Sequence, residues 1–181
     1  GLAGHANQDH IITVPKDTAI YSPGHTIQTV WRVMNTHESV AANNDNIARD
    51  ITNLRLTITP KRSDSVLYIQ WWIFYETHYN VSFKVTRNGS VIGRNTNSSS
   101  RFSGIGVADY GHSFDNNSTP QHKHFCYFDE PGSGTFTYGF AATSANSSNY
   151  TVHINRPTGN GGSDNHEVGV SWAMIEEIAQ S

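Results

Sequence analysis

Residues 66–76 read VLYIQWWIFYE, a run of aliphatic and aromatic side chains with Gln70 as its one internal polar residue. It is too short to span a bilayer as a helix, which takes about 20 apolar residues, and its β-branched and aromatic content is that of a strand. Successive side chains of a strand point to opposite faces, so apolar residues at both parities make both faces apolar. One face can enter a sandwich core. The other then has to meet a further layer or a neighbouring subunit.

The rest of the chain supplies partners for such a strand. Residues 26–34 alternate Ile27, Thr29, Trp31, Val33 against Gln28, Val30, Arg32, Met34, a half-buried strand. Residues 51–60 place Leu54, Leu56 and Ile58 on one face, and Pro60 ends that strand. Residues 61–65 form a polar turn. Residues 81–87 put Val81, Phe83 and Val85 inward, with Lys84 and Thr86 outward; Asn88-Gly89 follows as a hairpin turn leading to a return strand at 91–93. HKHFCYFD, GTFTYGFAA, NYTVHIN and VGVSWAMIEEIA provide four final strands, separated by turns dense in Gly, Ser and Asn. Residues 11–14 are a short strand candidate, 35–46 a polar connection, and 94–120 the longest irregular stretch, where a binding surface would grow. No helical pattern of any length is present. About nine or ten strands with turns at this spacing predict an all-β chain folded as an antiparallel β-sandwich. Residues 1–25 read as an arm or linker carrying the short strand, and 26–181 as one sandwich domain.

Composition narrows the function classes. Only 15% of the 181 residues are charged and the formal net charge is −3, with no basic run. This argues against nucleic-acid binding and against attachment to a membrane surface. The single cysteine, Cys126, excludes an intrachain disulfide and reads as a small buried hydrophobe. No signal peptide or transmembrane stretch is recognisable, and the opening GLAGH reads as the start of a processed or truncated product. Seven sequons, at Asn80, Asn88, Asn97, Asn116, Asn117, Asn146 and Asn149, would mean dense glycosylation in a secreted protein. Several lie in or beside strands, which favours a non-glycosylating host.

Candidate sites are few. His122 and His124 form an H-x-H pair whose side chains share one face of a strand. Two imidazoles from each of three chains would make a metal site on a threefold axis; otherwise they are polar residues of an exposed face. Asp109, His112 and Asp115 share the long loop, but nothing in their spacing builds a hydrolase. Glu176 and Glu177 are strand neighbours that point to opposite faces. No phosphate-binding or nucleophile motif is present, so no enzyme is expected, and no cofactor beyond the metal possibility. The aromatic group Trp71, Trp72, Phe74 and Tyr75 reads as core or subunit interface, with a sugar-stacking platform as the alternative.

The order HTIQTV, LTITPKRSDSVLYIQ, FKVTRNGSVIG, FCYFDEPGSGTFTYGF, YTVHINR and VSWAMIEEIA, from Thr26 to Ala179, resembles a family of tail-fibre or capsid-fibre-like structural proteins of marine and cyanobacterial podoviruses. The resemblance implies a jelly-roll head of C1q/TNF type, assembled as a homotrimer in the virion. There it would attach the particle to a host cell-surface glycan or protein and contact other virion proteins. A capsid-decorating protein without receptor binding and a secreted C1q-like or lectin-like module are the alternatives. The family contributes no catalytic residues. Arg101, Asp109, Tyr110, His112 and Asp115, in the long loop, are the candidate receptor contacts. The double tryptophan and the histidine-rich 112–124 stretch depart from the family pattern.

Overall fold

The computed structural model describes residues 22–77, 79–94, 102–108, 118–159 and 166–180. The strand candidate at 11–14 lies outside them. Two antiparallel sheets face each other. The front sheet contains β1 (Thr26–Met34), β2 (Glu38–Ala42), β5 (Val66–Glu76), β9 (Gln121–Asp129), β11 (Tyr150–Ile154) and β12 (Ser171–Ile178). The back sheet contains β3 (Arg49–Asp50), β4 (Leu56–Ile58), β6 (Val81–Arg87), β7 (Ser90–Gly93), β8 (Gly106–Val107) and β10 (Phe136–Ser144). In the front sheet, β5 bonds to β9 along one edge and to β12 and then β11 along the other; β1 flanks β12 and β2 flanks β11. In the back sheet, β10 lies between β6 and the pair β4 and β3, with β7 and β8 beyond β6. The chain passes front, back, front, back, front, back, front, and this succession with these neighbours is that of a jelly roll.

The core fills the space between the sheets. β5 contributes Leu67, Ile69, Trp71, Ile73 and Tyr75, all buried, and Trp71 is 1% exposed. Opposite them stand Phe83 and Phe140, whose rings stack at 5.1 Å; Trp71 lies 5.4 Å from Phe140 and Tyr75 meets Phe83 edge-on. The inward residues of β6, Val81, Phe83 and Val85, are fully buried as the alternation requires. Asn88 (φ 50°) and Gly89 (φ 79°) both take positive φ, the conformation of a two-residue hairpin turn that only such residues adopt readily.

Three local readings are corrected. The polar connection 35–46 holds a strand, β2, because Val40 and Ala42 fit inward against β11. The strand expected over 51–60 is divided: the Glu38 carboxylate accepts the Thr52 and Asn53 amides at 2.7 and 3.2 Å, and the backbone winds into a 3-10 turn, Thr52–Leu54, before β4. Leu54, Leu56 and Ile58 still reach the core. Thr86 stands on the outer side of the back sheet but is buried, with its hydroxyl donating to Asp50 at 2.7 Å.

Carboxylates pin the ends of the sandwich. Glu177 is fully buried and accepts the Lys61 and Arg62 amides, the Ser65 hydroxyl and Gln28 Nε2, at 2.6 to 3.0 Å. It thereby holds the turn between β4 and β5. At the same end Tyr138 Oη and Arg87 both donate to Asp129, at 2.5 and 2.8 Å. Burial, reinforced by that carboxylate, pushes the Tyr138 phenol far above its ordinary range. Three short turns lie at this end, at 59–65, 88–89 and 130–135, and Gly24 and His25 are bonded to Ala179 there. The strand ends Glu76, Val81, Val107, Gln121, Ser144 and Tyr150 lie at the opposite end.

Burial alone would raise the Glu177 pKa, but its four donors outweigh burial and hold it below the ordinary 4.5. The unfolded chain therefore takes up the proton first. The stabilisation is complete above about pH 4.5 and is lost as pH falls through the depressed folded-state value. Glu177→Gln, which turns one acceptor into a donor facing donors, is expected to cost about 1–3 kcal/mol at pH 7 in denaturant titration and to flatten the acid limb of the stability profile. Trp71→Ala is expected to cost about 3–5 kcal/mol by the same measurement.

Candidate functional site

The outward side chains of the front sheet form rows that run across four strands. Val33, Trp172, Trp72 and His124 are successive partners, followed by Trp31, Met174, Gln70 and Cys126, then Thr29, Glu176, Tyr68 and Phe128. Trp31 is 69% exposed, Val33 52% and Phe128 60%. Glu176 is the only formally charged side chain in these rows, and Gln70 Nε2 donates to it at 3.3 Å. An isolated exposed apolar residue needs no account; a contiguous set does, because such patches mark association sites.

The rings are ordered by stacking. Trp72 lies between Trp172 (3.6 Å, 13° between planes) and His124 (3.7 Å, 18°), and Tyr68 stacks on Phe128 at 4.6 Å. Both faces of Trp72 are therefore occupied within the chain. A pyranose needs an open ring face, so the sugar-platform reading does not suit Trp72. A broad apolar floor suits a protein partner. Partial burial lowers the His124 pKa, which favours the neutral imidazole.

The far end of β5 is closed over. Gly169 sits against the Phe74 ring so closely that a Cβ there would overlap it. Glu76 is buried beneath this region and accepts the Thr119 amide at 3.1 Å and the Thr158 amide at 2.7 Å, tying two long loops to the end of β5. The excursion between β11 and β12 starts at Asn155, in the left-handed region (φ 62°). Its amide group donates to the carbonyls of Met34 and Thr36 and accepts from Ser171 Oγ.

The predicted aromatic group is thus split by parity. Trp71 and Tyr75 belong to the core; Trp72 and Phe74 face outward, Trp72 on the open rows and Phe74 beneath the 166–170 segment. His122 and His124 are both exposed on the outer face of β9, as the H-x-H spacing requires. Cys126, read as buried, is exposed: the register of β9 sends Phe125 and Tyr127 inward and Cys126 outward. Arg101, Asp109, Tyr110, His112 and Asp115 lie outside the described residues. Trp31, Val33, Trp172 and Phe128 were not among the expected site residues. The exposed alternation of 26–34 was the sequence signal for Trp31 and Val33; cross-strand register is needed to bring Trp172 and Phe128 beside the rows. The sequons at Asn88, Asn146 and Asn149 carry side chains already engaged in turns, accepting the amides of Thr137, Ser148 and Asn44. No known protein family matches the chain, and no curated protein sequence is significantly similar to it.

Proposed function

We propose that this chain is the head domain of a virion fibre. It acts as a homotrimer closed through the outer face of the front sheet, and the opposite loop end meets a host cell-surface glycan or protein. The observation that carries the reading is the aromatic face: three rows of four side chains with one formal charge, led by Trp31 at 69% exposure. A surface of this kind repels no second copy electrostatically, and covering it gains about 25 cal/mol per Å² of apolar area. Homo-oligomers close by symmetry, and the trimer is the assembly that the resemblance to podovirus fibre proteins implies.

Polarity along the sandwich supports a tethered head. The chain enters β1 and leaves β12 at the end with short turns, where Gly24 and His25 bond to Ala179. The strand ends that carry the long connections after β8 and β11 lie at the other end, where Glu76 accepts the amides of Thr119 and Thr158. Three copies would present three such loop sets, so weak single contacts would combine into firm attachment. The buried carboxylates Glu76 and Glu177 and the partly buried Asp129 are each occupied by structural donors, which fits a binding module better than a catalyst.

Sedimentation equilibrium is expected to give a mass of three chains, and Trp31→Arg to reduce it to one chain with the far-UV dichroism unchanged. That residue lies on the surface of the single chain, so its replacement separates assembly from folding. A wild-type chain that stays monomeric at all accessible concentrations would remove the proposal. Binding of the assembled protein to host cells, lost when the 108–120 connection is replaced by a short Gly/Ser turn, is expected for a receptor-binding head. Assembly without cell binding would point instead to a particle-decorating role.

A further inference from the structure

We propose that His122 and His124 form a chelating partial site for a divalent transition-metal ion of the zinc, copper and nickel class, which the same pair from the other copies of the assembly completes. The completion step rests on the self-association reading above; the chelation step does not. The two residues stand two positions apart on β9, both exposed and on the same face. That spacing is about 6.8 Å along a strand, and two imidazoles reaching toward each other across it can each approach one ion at about 2.0–2.1 Å.

Stacking adds pre-orientation. The His124 ring lies nearly parallel to Trp72, so its normal points across the sheet toward β5 and its plane, with both ring nitrogens, runs along β9. Lys123 and Phe125 alternate to the other face, which leaves Cys126 as the next side chain along the row and Trp72 and Phe74 as the cross-strand partners. Among the described residues no group of three or more potential ligands converges. One chain thus offers two nitrogens, and a four-coordinate ion needs two further donors. In the trimer proposed above, symmetry would bring the same pair from all three copies to one axis, so a shared ion would be held at about one per three chains.

The test uses the full chain, titrated with Cu²⁺ while tryptophan emission is followed. Trp72 stacks on His124, so bound Cu²⁺ is expected to quench it saturably, with Zn²⁺ competing. Binding is expected to weaken at least about tenfold in His122→Ala and equally in His124→Phe, whose ring keeps the stack while losing the nitrogens. Metal content below one ion per chain in the assembled protein supports the shared site. One ion per chain overturns sharing, and an unchanged Cu²⁺ titration in His122→Ala overturns the site altogether. A monomeric chain with pair-dependent quenching would retain the chelating pair and remove the self-association.

Discussion

β5 is bonded along both edges and apolar on both faces, and the rest of the molecule is arranged around that fact. Its inward set, Leu67, Ile69, Trp71, Ile73 and Tyr75, forms the front half of the core. Its outward set, Tyr68, Gln70 and Trp72, forms the middle of the exposed rows. A slip of one residue in register would exchange Trp71 with Trp72. The core selects the observed register: Trp71 packs against Phe140, while Trp72 fits between Trp172 and His124. The same hydrogen bonds that fix the core therefore also fix which rings reach the surface.

Buried acids at the two ends play a comparable part for the connections. A carboxylate withdrawn from water is tolerated when it accepts several hydrogen bonds. Glu177 meets that condition with the turn before β5, and Glu76 with the loops that reach Thr119 and Thr158. Each acid exchanges its own solvation for the ordering of a segment that has few apolar side chains to hold it. The sandwich thus has a tightly turned end where the chain enters β1 and leaves β12, and an opposite end where Glu76 is the buried anchor.

Strand content was legible wherever alternation was strong. The 26–34 and 66–76 segments have the bounds of β1 and β5, and the inward parity of Val81, Phe83 and Val85 is as read. Short elements were not legible. β2 has two inward apolar residues, too few to signal a period, and the 3-10 turn at 52–54 depends on a carboxylate 14 residues upstream of Thr52. Cys126 was misread because HFCYF is apolar at both parities, so composition alone cannot say which parity faces in; pairing with β5 decides it. The rows of the outer face were hidden for the same reason. Val33, Trp172, Trp72 and His124 come from four strands, and sequence separation says nothing of their adjacency.

The exposed face and the loop end also differ in what each can recognise. The stacked rings Trp172, Trp72, His124, Tyr68 and Phe128 have little freedom to adapt, so ordering them on association loses little side-chain entropy. Such a surface selects a partner that is equally apolar and sparsely charged, and an identical copy meets both conditions. Gln70 and Glu176, bonded to each other within the rows, supply a polar feature that an identical face would match only in certain orientations. A few polar groups within an apolar contact are how interfaces fix register while apolar area supplies most of the driving force. The long connections, rich in Asn, Ser and Gly, offer the opposite chemistry: many adaptable hydrogen-bonding groups suited to a ligand of variable shape. In the proposed assembly, self-recognition on the sheet and ligand recognition at the loops would each vary without disturbing the other.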